Sequence, residues 1–153
     1  MTGPGDGQTA TAYDAALRLL ARREHSRREL KSKLLQRAYA LDSIEQALDR
    51  LSEQDYLSDR RFAGLYVAER VGKGFGARRI EAELRERGID AAEIAAALGP
   101  FADRWEAVLA DLCAHRFGAE PPADRREWQR RARFLEGRGF ATDSIRRVLG
   151  DYG

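Results

Sequence analysis

Arginine and lysine side chains recur in three short clusters along this 153-residue chain, and they are its best candidates for binding an anionic partner. The clusters are Arg22, Arg23, Arg27, Arg28 and Lys31; then Lys73, Arg78 and Arg79; then Arg125, Arg126, Arg130, Arg131 and Arg133. Only three of the 27 basic residues are lysine, and the planar guanidinium of arginine binds phosphate or carboxylate through two parallel hydrogen bonds. The clusters therefore predict a positive stripe that contacts phosphates or acidic protein patches.

A simpler interpretation is that these cations lie on solvated helix faces. They would then pair with Glu24, Glu29, Glu81 and Glu83 at i, i+4 spacing, which contributes little to stability or function. The net charge of +2 also argues against tight binding to bare duplex DNA, because that affinity grows with each neutralised phosphate.

Other residues with chemical potential are sparse. Cys113 is the only cysteine, so the chain has no internal disulfide, and with His115 it makes too small a set for a metal site. His25 is also isolated, and no paired carboxylates or catalytic triad stand out. We therefore predict a protein that is not an enzyme and that uses no metal and no cofactor.

The glycine-rich stretch GKGFG, residues 72–76, precedes a predicted helix and could hold a phosphate there. It lacks the GK[ST] ending of a nucleotide-binding loop and follows a helix instead of a strand, so we interpret it as a flexible joint. Phe75 within the joint could stack on a base or dock on a partner. Alternatively, Phe75 pins the turn to the core.

The basic clusters are carried by a unit that the chain repeats at spacings of 50 and 51 residues. The matching sets are Leu34, Leu84 and Leu135; Arg37, Arg87 and Arg138; Tyr39, Ile89 and Phe140; Ile44, Ile94 and Ile145; and Leu48, Leu98 and Leu149. Each unit places apolar residues at i and i+4 on two successive short segments, which predicts a helical hairpin. One hairpin is too small to bury its own apolar face, so the three units must pack with further elements.

The turn inside each hairpin has its own signature. Gly88 and Gly139, each followed by an apolar residue, predict a left-handed helix end of the Schellman type. The first unit has Ala38 instead, so it either ends differently or accepts a left-handed alanine at a cost of about 1 kcal/mol.

Capping boxes are predicted at three helix starts: Ser26 with Glu29, Asp42 with Glu45, and Asp90 with Glu93. Upstream of each hairpin a third amphipathic segment completes a triplet, and in the first unit we expect helices over about 13–23, 27–37 and 43–52. The predicted fold is all-α: three tandem three-helix repeats over 13–52, 53–99 and 100–153, after a disordered N-terminal tail, 1–12.

The third unit departs from the pattern, because Arg131 stands where the first two have Leu30 and Ile80. Trp128, Ala132 and Leu135 can supply the apolar stripe instead, which is typical of a divergent end module. The chain has no run of 18 apolar residues and no signal-peptide pattern, so we expect a cytoplasmic protein with no membrane contact.

The segments LLARREHSRRELKSKLLQRA, DYLSDRRFA, GKGFGARRIEAELRERGI and RFLEGRGF, in this order and spacing, resemble the RecX family of bacterial regulatory proteins. The resemblance spans residues 15–149. It implies an elongated, curved molecule that binds filaments of the RecA recombinase on single-stranded DNA. Its expected activity is inhibition of the ATPase, strand-exchange and co-protease activities of that filament, within DNA repair, recombination and the SOS response.

With this resemblance, we expect a basic face that contacts the filament or its DNA. Its members are Arg22, Arg23, Arg27, Arg28, Lys31, Lys73, Arg78, Arg79, Arg126, Arg130 and Arg131. The partners are RecA filaments and single- or double-stranded DNA, and the chain is expected to be a monomer. Two alternatives remain: a direct DNA binder built from helix-turn-helix-like triplets, and a helical scaffold for another protein.

Overall fold

The computed structural model describes the backbone of residues 4–151 and the side chains of residues 11–151, and this part of the chain contains nine α-helices and no strand. They are α1 (Pro4–Arg22), α2 (Arg27–Gln36), α3 (Leu41–Glu53), α4 (Asp59–Gly72), α5 (Ala77–Glu86), α6 (Ala91–Leu98), α7 (Trp105–Phe117), α8 (Arg125–Gly137) and α9 (Thr142–Leu149). A short 3₁₀ turn, Gly99–Phe101, follows α6. Below, repeats 1, 2 and 3 comprise α1–α3, α4–α6 and α7–α9.

Each repeat has its own apolar core. The large apolar side chains that are fully buried are Leu30, Leu34, Ile44, Leu48 and Leu51 in repeat 1, Val67, Ile80 and Leu84 in repeat 2, and Leu109, Leu135 and Ile145 in repeat 3. Trp105 packs against the cores of both repeat 2 and repeat 3. The accessible surface is 9570 Å², which exceeds the roughly 7800 Å² expected for a compact monomer of this mass, as a row of small modules should.

Neighbouring repeats contact each other through the same turn. The Ser26 hydroxyl of repeat 1 donates to the Arg87 carbonyl of repeat 2 at 2.7 Å, and the Gly76 N–H of repeat 2 donates to the Arg138 carbonyl of repeat 3 at 2.7 Å. Ser26 and Gly76 are equivalent in the repeat register, and so are Arg87 and Arg138. The start of the second helix of one repeat therefore docks on the hairpin turn of the next.

This docking explains which turns need glycine. Gly88 has a φ of 80° and Gly139 a φ of 101°, as the Schellman signature predicted. A methyl group on Gly88 would lie 2.7 Å from the Cβ of Arg28, and one on Gly139 would lie 2.5 Å from the Cβ of Arg79. Ala38 is left-handed too, with a φ of 66°, but it is exposed, and no backbone hydrogen bond joins its turn to another repeat among the described residues.

Two predicted local features differ in the structure. Helix α1 begins at Pro4, not near Tyr13, since proline is tolerated in a first turn where no N–H is required; residues 1–3 of the predicted disordered tail lie outside the described residues. The capping box predicted for Asp42 is wrong, because α3 begins at Leu41, two residues earlier than predicted, and Ala40 is its N-cap without a side-chain hydrogen bond.

Candidate partner-binding surface

Most cations of the predicted basic face already have partners within the chain. Seven of the eleven form ion pairs: Arg23 with Glu29, Arg27 with Glu45 and Asp49, Lys31 with Glu45, Lys73 with Glu69, Arg79 with Glu83, and Arg130 and Arg131 with Glu127. The other four, Arg22, Arg28, Arg78 and Arg126, are exposed and form no ion pair with the described residues. The interpretation as internally paired helix faces therefore holds for seven of the eleven cations, and contact with a partner stays a prediction for the four unpaired arginines.

The paired cations differ in how strongly their internal partners hold them. An exposed ion pair is worth only about 0–1 kcal/mol, so a partner can displace it at little cost. Arg27 is held more firmly, because it contacts Glu45 at 2.9 Å and Asp49 at 2.7 Å, both on α3. Arg28 and Arg78 are equivalent in the repeat register, and they are the free exposed arginines that recur in neighbouring repeats.

Arg131 does not belong to an exposed face, which corrects the prediction for this residue. It is only 7% exposed, contacts the Glu127 carboxylate at 2.7 Å and donates to the Glu120 carbonyl at 3.1 Å. Its guanidinium lies 5.0 Å from the centre of the Phe117 ring. Because Arg131 occupies the core position that leucine and isoleucine hold in the other repeats, its side chain is directed inward.

The structure adds two cations to the first cluster. Lys33 and Arg37 lie at i and i+4 on and just after α2. Burial lowers the pKa of Lys33, and the positive charges of Arg23, Arg37 and Arg22 lower it further against the opposing charge of Glu29. A bound anion would stabilise this concentrated positive charge. Their i, i+4 spacing was visible in the sequence, but only the fold brings them beside the end of α1.

His25 lies beneath this cluster and is 1% exposed. Its Nδ1 lies 3.0 Å from the Arg23 carbonyl and its Nε2 lies 2.8 Å from the Lys33 ammonium. The ammonium can only donate, so Nε2 accepts, Nδ1 carries the proton and the ring is neutral. Burial lowers the pKa of His25, and the imidazole thus connects α1 to α2 instead of binding a metal.

The remaining candidates for chemistry are the single cysteine and possible metal ligands. Cys113 is buried and burial raises the pKa of its thiol, so the reactive thiolate is disfavoured. Within the described residues, no group of three or more His, Cys, Asp or Glu side chains could hold a metal ion. Nor does any described helix have the length and apolar character needed to cross a membrane.

The glycine-rich joint between α4 and α5 is tied to repeat 3. The N–H groups of Gly76 and Arg78 donate to the carbonyls of Arg138 and Gly139, so these donors are not available to a phosphate. The Phe75 ring packs under three guanidinium groups, those of Arg70 at 3.7 Å, Arg138 at 4.4 Å and Arg79 at 4.6 Å. Phe75 therefore pins the turn, as the simpler interpretation of the sequence held.

Clefts lie at both junctions between repeats. The cleft between repeats 1 and 2 has a volume of about 550 Å³ and is lined by Arg23, Glu24, Glu29, Phe62, Leu65, Tyr66, Glu69 and Arg87. The cleft between repeats 2 and 3 has a volume of about 540 Å³ and includes Lys73, Arg104, Asp111 and His115. The three carboxylates of the first cleft are paired internally, Glu24 with Arg61, Glu29 with Arg23 and Glu69 with Lys73, so the cleft offers less positive charge than the cluster around Lys33.

Known protein families match all three repeats of the chain. Family models described as the first, second and third three-helix domains of RecX match residues 12–51, 58–98 and 104–149. The chain is 46% identical over 133 residues to regulatory protein RecX of Halorhodospira halophila, covering 87% of this chain and 83% of that protein. It is 43% identical over 136 residues to regulatory protein RecX of Xanthomonas axonopodis pv. citri, covering 89% and 84%.

Two crystal structures share the fold. RecX from Lactobacillus salivarius superimposes with a TM-score of 0.77 at 24% identity, covering 94% of this chain and 96% of that one. A second structure of regulatory protein RecX gives a TM-score of 0.78 at 25% identity, covering 93% and 72%.

Proposed function

This chain belongs to the RecX family of regulatory proteins, and we propose that it binds RecA filaments assembled on single-stranded DNA and inhibits them. The inhibited activities are the ATPase, strand exchange and the co-protease activity. The protein itself is not an enzyme in this proposal, it binds as a monomer, and it acts in the cytoplasm during DNA repair, recombination and the SOS response.

The observation that carries the proposal is the recurrence of free, exposed arginines at one register position of neighbouring repeats. Arg28 in repeat 1 and Arg78 in repeat 2 are both exposed and lack an ion pair among the described side chains. A recombinase filament presents identical subunits at a regular spacing, so a row of modules can contact several subunits at once. Weak contacts on one chain then reinforce each other through their high effective concentration.

Inhibition follows from occupancy. A row of three repeats lying along the groove of the filament bridges its subunits and lies where a second DNA strand or a substrate of the co-protease must enter. Arg22, Arg28, Arg78 and Arg126 supply contacts to acidic side chains of the filament or to DNA phosphates. Six further cations of the predicted basic face exchange their internal ion pairs for filament groups where the exchange costs little free energy: Arg23, Arg27, Lys31, Lys73, Arg79 and Arg130.

The test is the double variant Arg28→Glu/Arg78→Glu in the single-stranded-DNA-dependent ATPase assay of RecA. We expect it to need at least about tenfold more protein for half-inhibition, because two charge reversals at a contact surface each cost on the order of 1 kcal/mol or more. Arg60→Glu/Arg116→Glu is the matched control, since it makes the same charge change at exposed arginines outside the basic face. Equal inhibition by both double variants would remove the basic face from the proposal.

Direct recognition of DNA by helix-turn-helix-like triplets is less well supported. Helix α6, the last helix of repeat 2, spans Ala91–Leu98 and contains no basic residue to read base edges. A direct binder would also hold plain duplex without recombinase, with a steep dependence on salt.

A further inference from the structure

Repeat 1 presents an exposed apolar pair at the turn between α2 and α3. The open end is defined here as Leu35, Arg37, Ala38 and Leu41. Leu35 is 46% exposed and Leu41 is 51% exposed. Lys31 on α2 contacts Glu45 on α3 at 2.8 Å, and Leu35 and Leu41 each lie one helical turn beyond those residues toward the same tip. The two leucines therefore lie at the same end of the hairpin.

The fold does not require leucine at either position. In the repeat register, Leu35 corresponds to Arg85 and Glu136, and Leu41 corresponds to Ala91 and Thr142. All four of these residues are exposed, and repeats 2 and 3 build the same hairpin turn with them. The apolar pair is thus particular to repeat 1, and a reason for it has to be sought outside the hairpin itself.

Among the described residues, the open end is also the one hairpin turn of the three on which no other repeat is docked. The equivalent Arg87 and Arg138 carbonyls each accept a hydrogen bond from the preceding repeat. The Arg37 carbonyl accepts none from any described residue. The hairpin turns of repeats 2 and 3 therefore each bind a protein segment, and the equivalent turn of repeat 1 is free to bind one.

Around the open end the cations Arg22, Lys33 and Arg37 outnumber the carboxylate of Asp42. Arg37 forms no ion pair within the described part of the chain, and it lies near Lys33 and Arg22, whose charges act on one another. A surface with an apolar pair on one side and uncompensated cations on the other is complementary to an acidic protein surface that carries an apolar side chain.

We propose that the open end docks an acidic surface of a protein partner, which places an apolar side chain against Leu35 and Leu41. The inference rests on the proposed function, and it assigns this contact to the recombinase instead of its DNA. Leucine offers no donor to a phosphate, so the apolar pair selects protein over nucleic acid. A second copy of this chain is a poor fit, because the far end of repeat 3 is itself positive through Arg125, Arg126 and Arg130.

The experiment compares two double variants taken from the other repeats. Leu35→Arg/Leu41→Ala carries the residues of repeat 2, and Leu35→Glu/Leu41→Thr carries those of repeat 3, so both are compatible with the hairpin. Leu65→Ser is the control, because Leu65 is also an exposed leucine, at 57%, but lies in the cleft between repeats 1 and 2. Binding is measured to RecA filaments on single-stranded DNA and to the same DNA alone, with circular dichroism melting of each variant.

We expect both double variants to bind the filament at least about tenfold more weakly, as loss of an apolar anchor at an interface does, with unchanged binding to DNA alone. Leu65→Ser should bind like the wild type. If only charge mattered, Leu35→Arg/Leu41→Ala would bind more tightly, and that result overturns the inference. Wild-type binding by both variants, or loss confined to Leu65→Ser, overturns it as well.

The two proposals fail in different ways. A wild-type protein that does not bind the filament at all refutes the proposed function, and the inference falls with it. A wild-type protein that binds, with both double variants binding equally well, refutes the open end alone. Should a double variant melt at a lower temperature than the wild type, the single variants Leu35→Arg and Leu41→Ala decide the same question.

Discussion

Substituting Gly139 with alanine tests whether repeats 2 and 3 dock through the hairpin turn. Gly139 has a φ of 101°, and a left-handed conformation costs a residue with a Cβ about 1–2 kcal/mol. The new methyl group would also lie 2.6 Å from the Arg79 backbone nitrogen and 2.9 Å from the Gly76 carbonyl oxygen. Relieving such overlap typically costs about 1–3 kcal/mol, so the free energy of unfolding should fall by about 2–5 kcal/mol in total.

The assay is urea unfolding followed by circular dichroism, and its counterpart is Ala38→Gly. Ala38 has the same handedness, and no described repeat is docked on it, so its replacement by glycine should stabilise the protein by a few tenths to about 1 kcal/mol. Limited proteolysis of Gly139→Ala should also expose the joint at residues 72–76, because its hydrogen bonds to repeat 3 are displaced. A loss below about 2 kcal/mol in Gly139→Ala would refute the docking, since backbone strain alone would explain it.

Two further predictions concern buried polar groups. Arg131→Leu should leave inhibition of the recombinase unchanged and alter the free energy of unfolding by less than about 1 kcal/mol. The reason is that leucine suits this core position and Glu127 stays near solvent. Weakened inhibition in a variant with wild-type stability would show that Arg131 contacts the partner after all. Stability should fall as pH drops below about 6.5, because the lowered pKa of His25 lets the unfolded chain take up its proton first. His25→Asn keeps a donor for the Arg23 carbonyl, and it should make the free energy of unfolding in urea nearly independent of pH between pH 6.5 and 5. The same pH dependence as in the wild type would contradict the role given to His25.

Local signals predicted much of the fold. Periodic apolar residues and the glycines of the hairpin turns depend on contacts within a few residues, so the three triplets and the left-handed ends at Gly88 and Gly139 were visible in the sequence. The capping box of Ser26 and Glu29 forms as predicted, with the Glu29 N–H donating to the Ser26 hydroxyl at 3.1 Å. Asp90 also caps α6, accepting from the Glu93 N–H at 2.8 Å.

The ion pairs of the predicted surface could not be predicted from the sequence, because they join residues on different helices. The i, i+4 rule could not find the contacts of Arg27 with Glu45 and Asp49, which lie 18 and 22 residues away on another helix. Glu45 is occupied by these pairs on α3 instead of closing the predicted box with Asp42. Burial of Arg131 likewise depends on Phe117 and Glu120, which belong to α7 and the loop after it.

The central claim is that this chain regulates the recombinase, and the most direct measurement is the single-stranded-DNA-dependent ATPase of RecA from the same bacterium. The protein is titrated at amounts well below that of the recombinase. Loss of ATPase activity at these substoichiometric ratios is the predicted result, because each molecule bridges several filament subunits or occupies a growing end. An unchanged ATPase rate at every ratio, with the protein folded by circular dichroism, would contradict the claim.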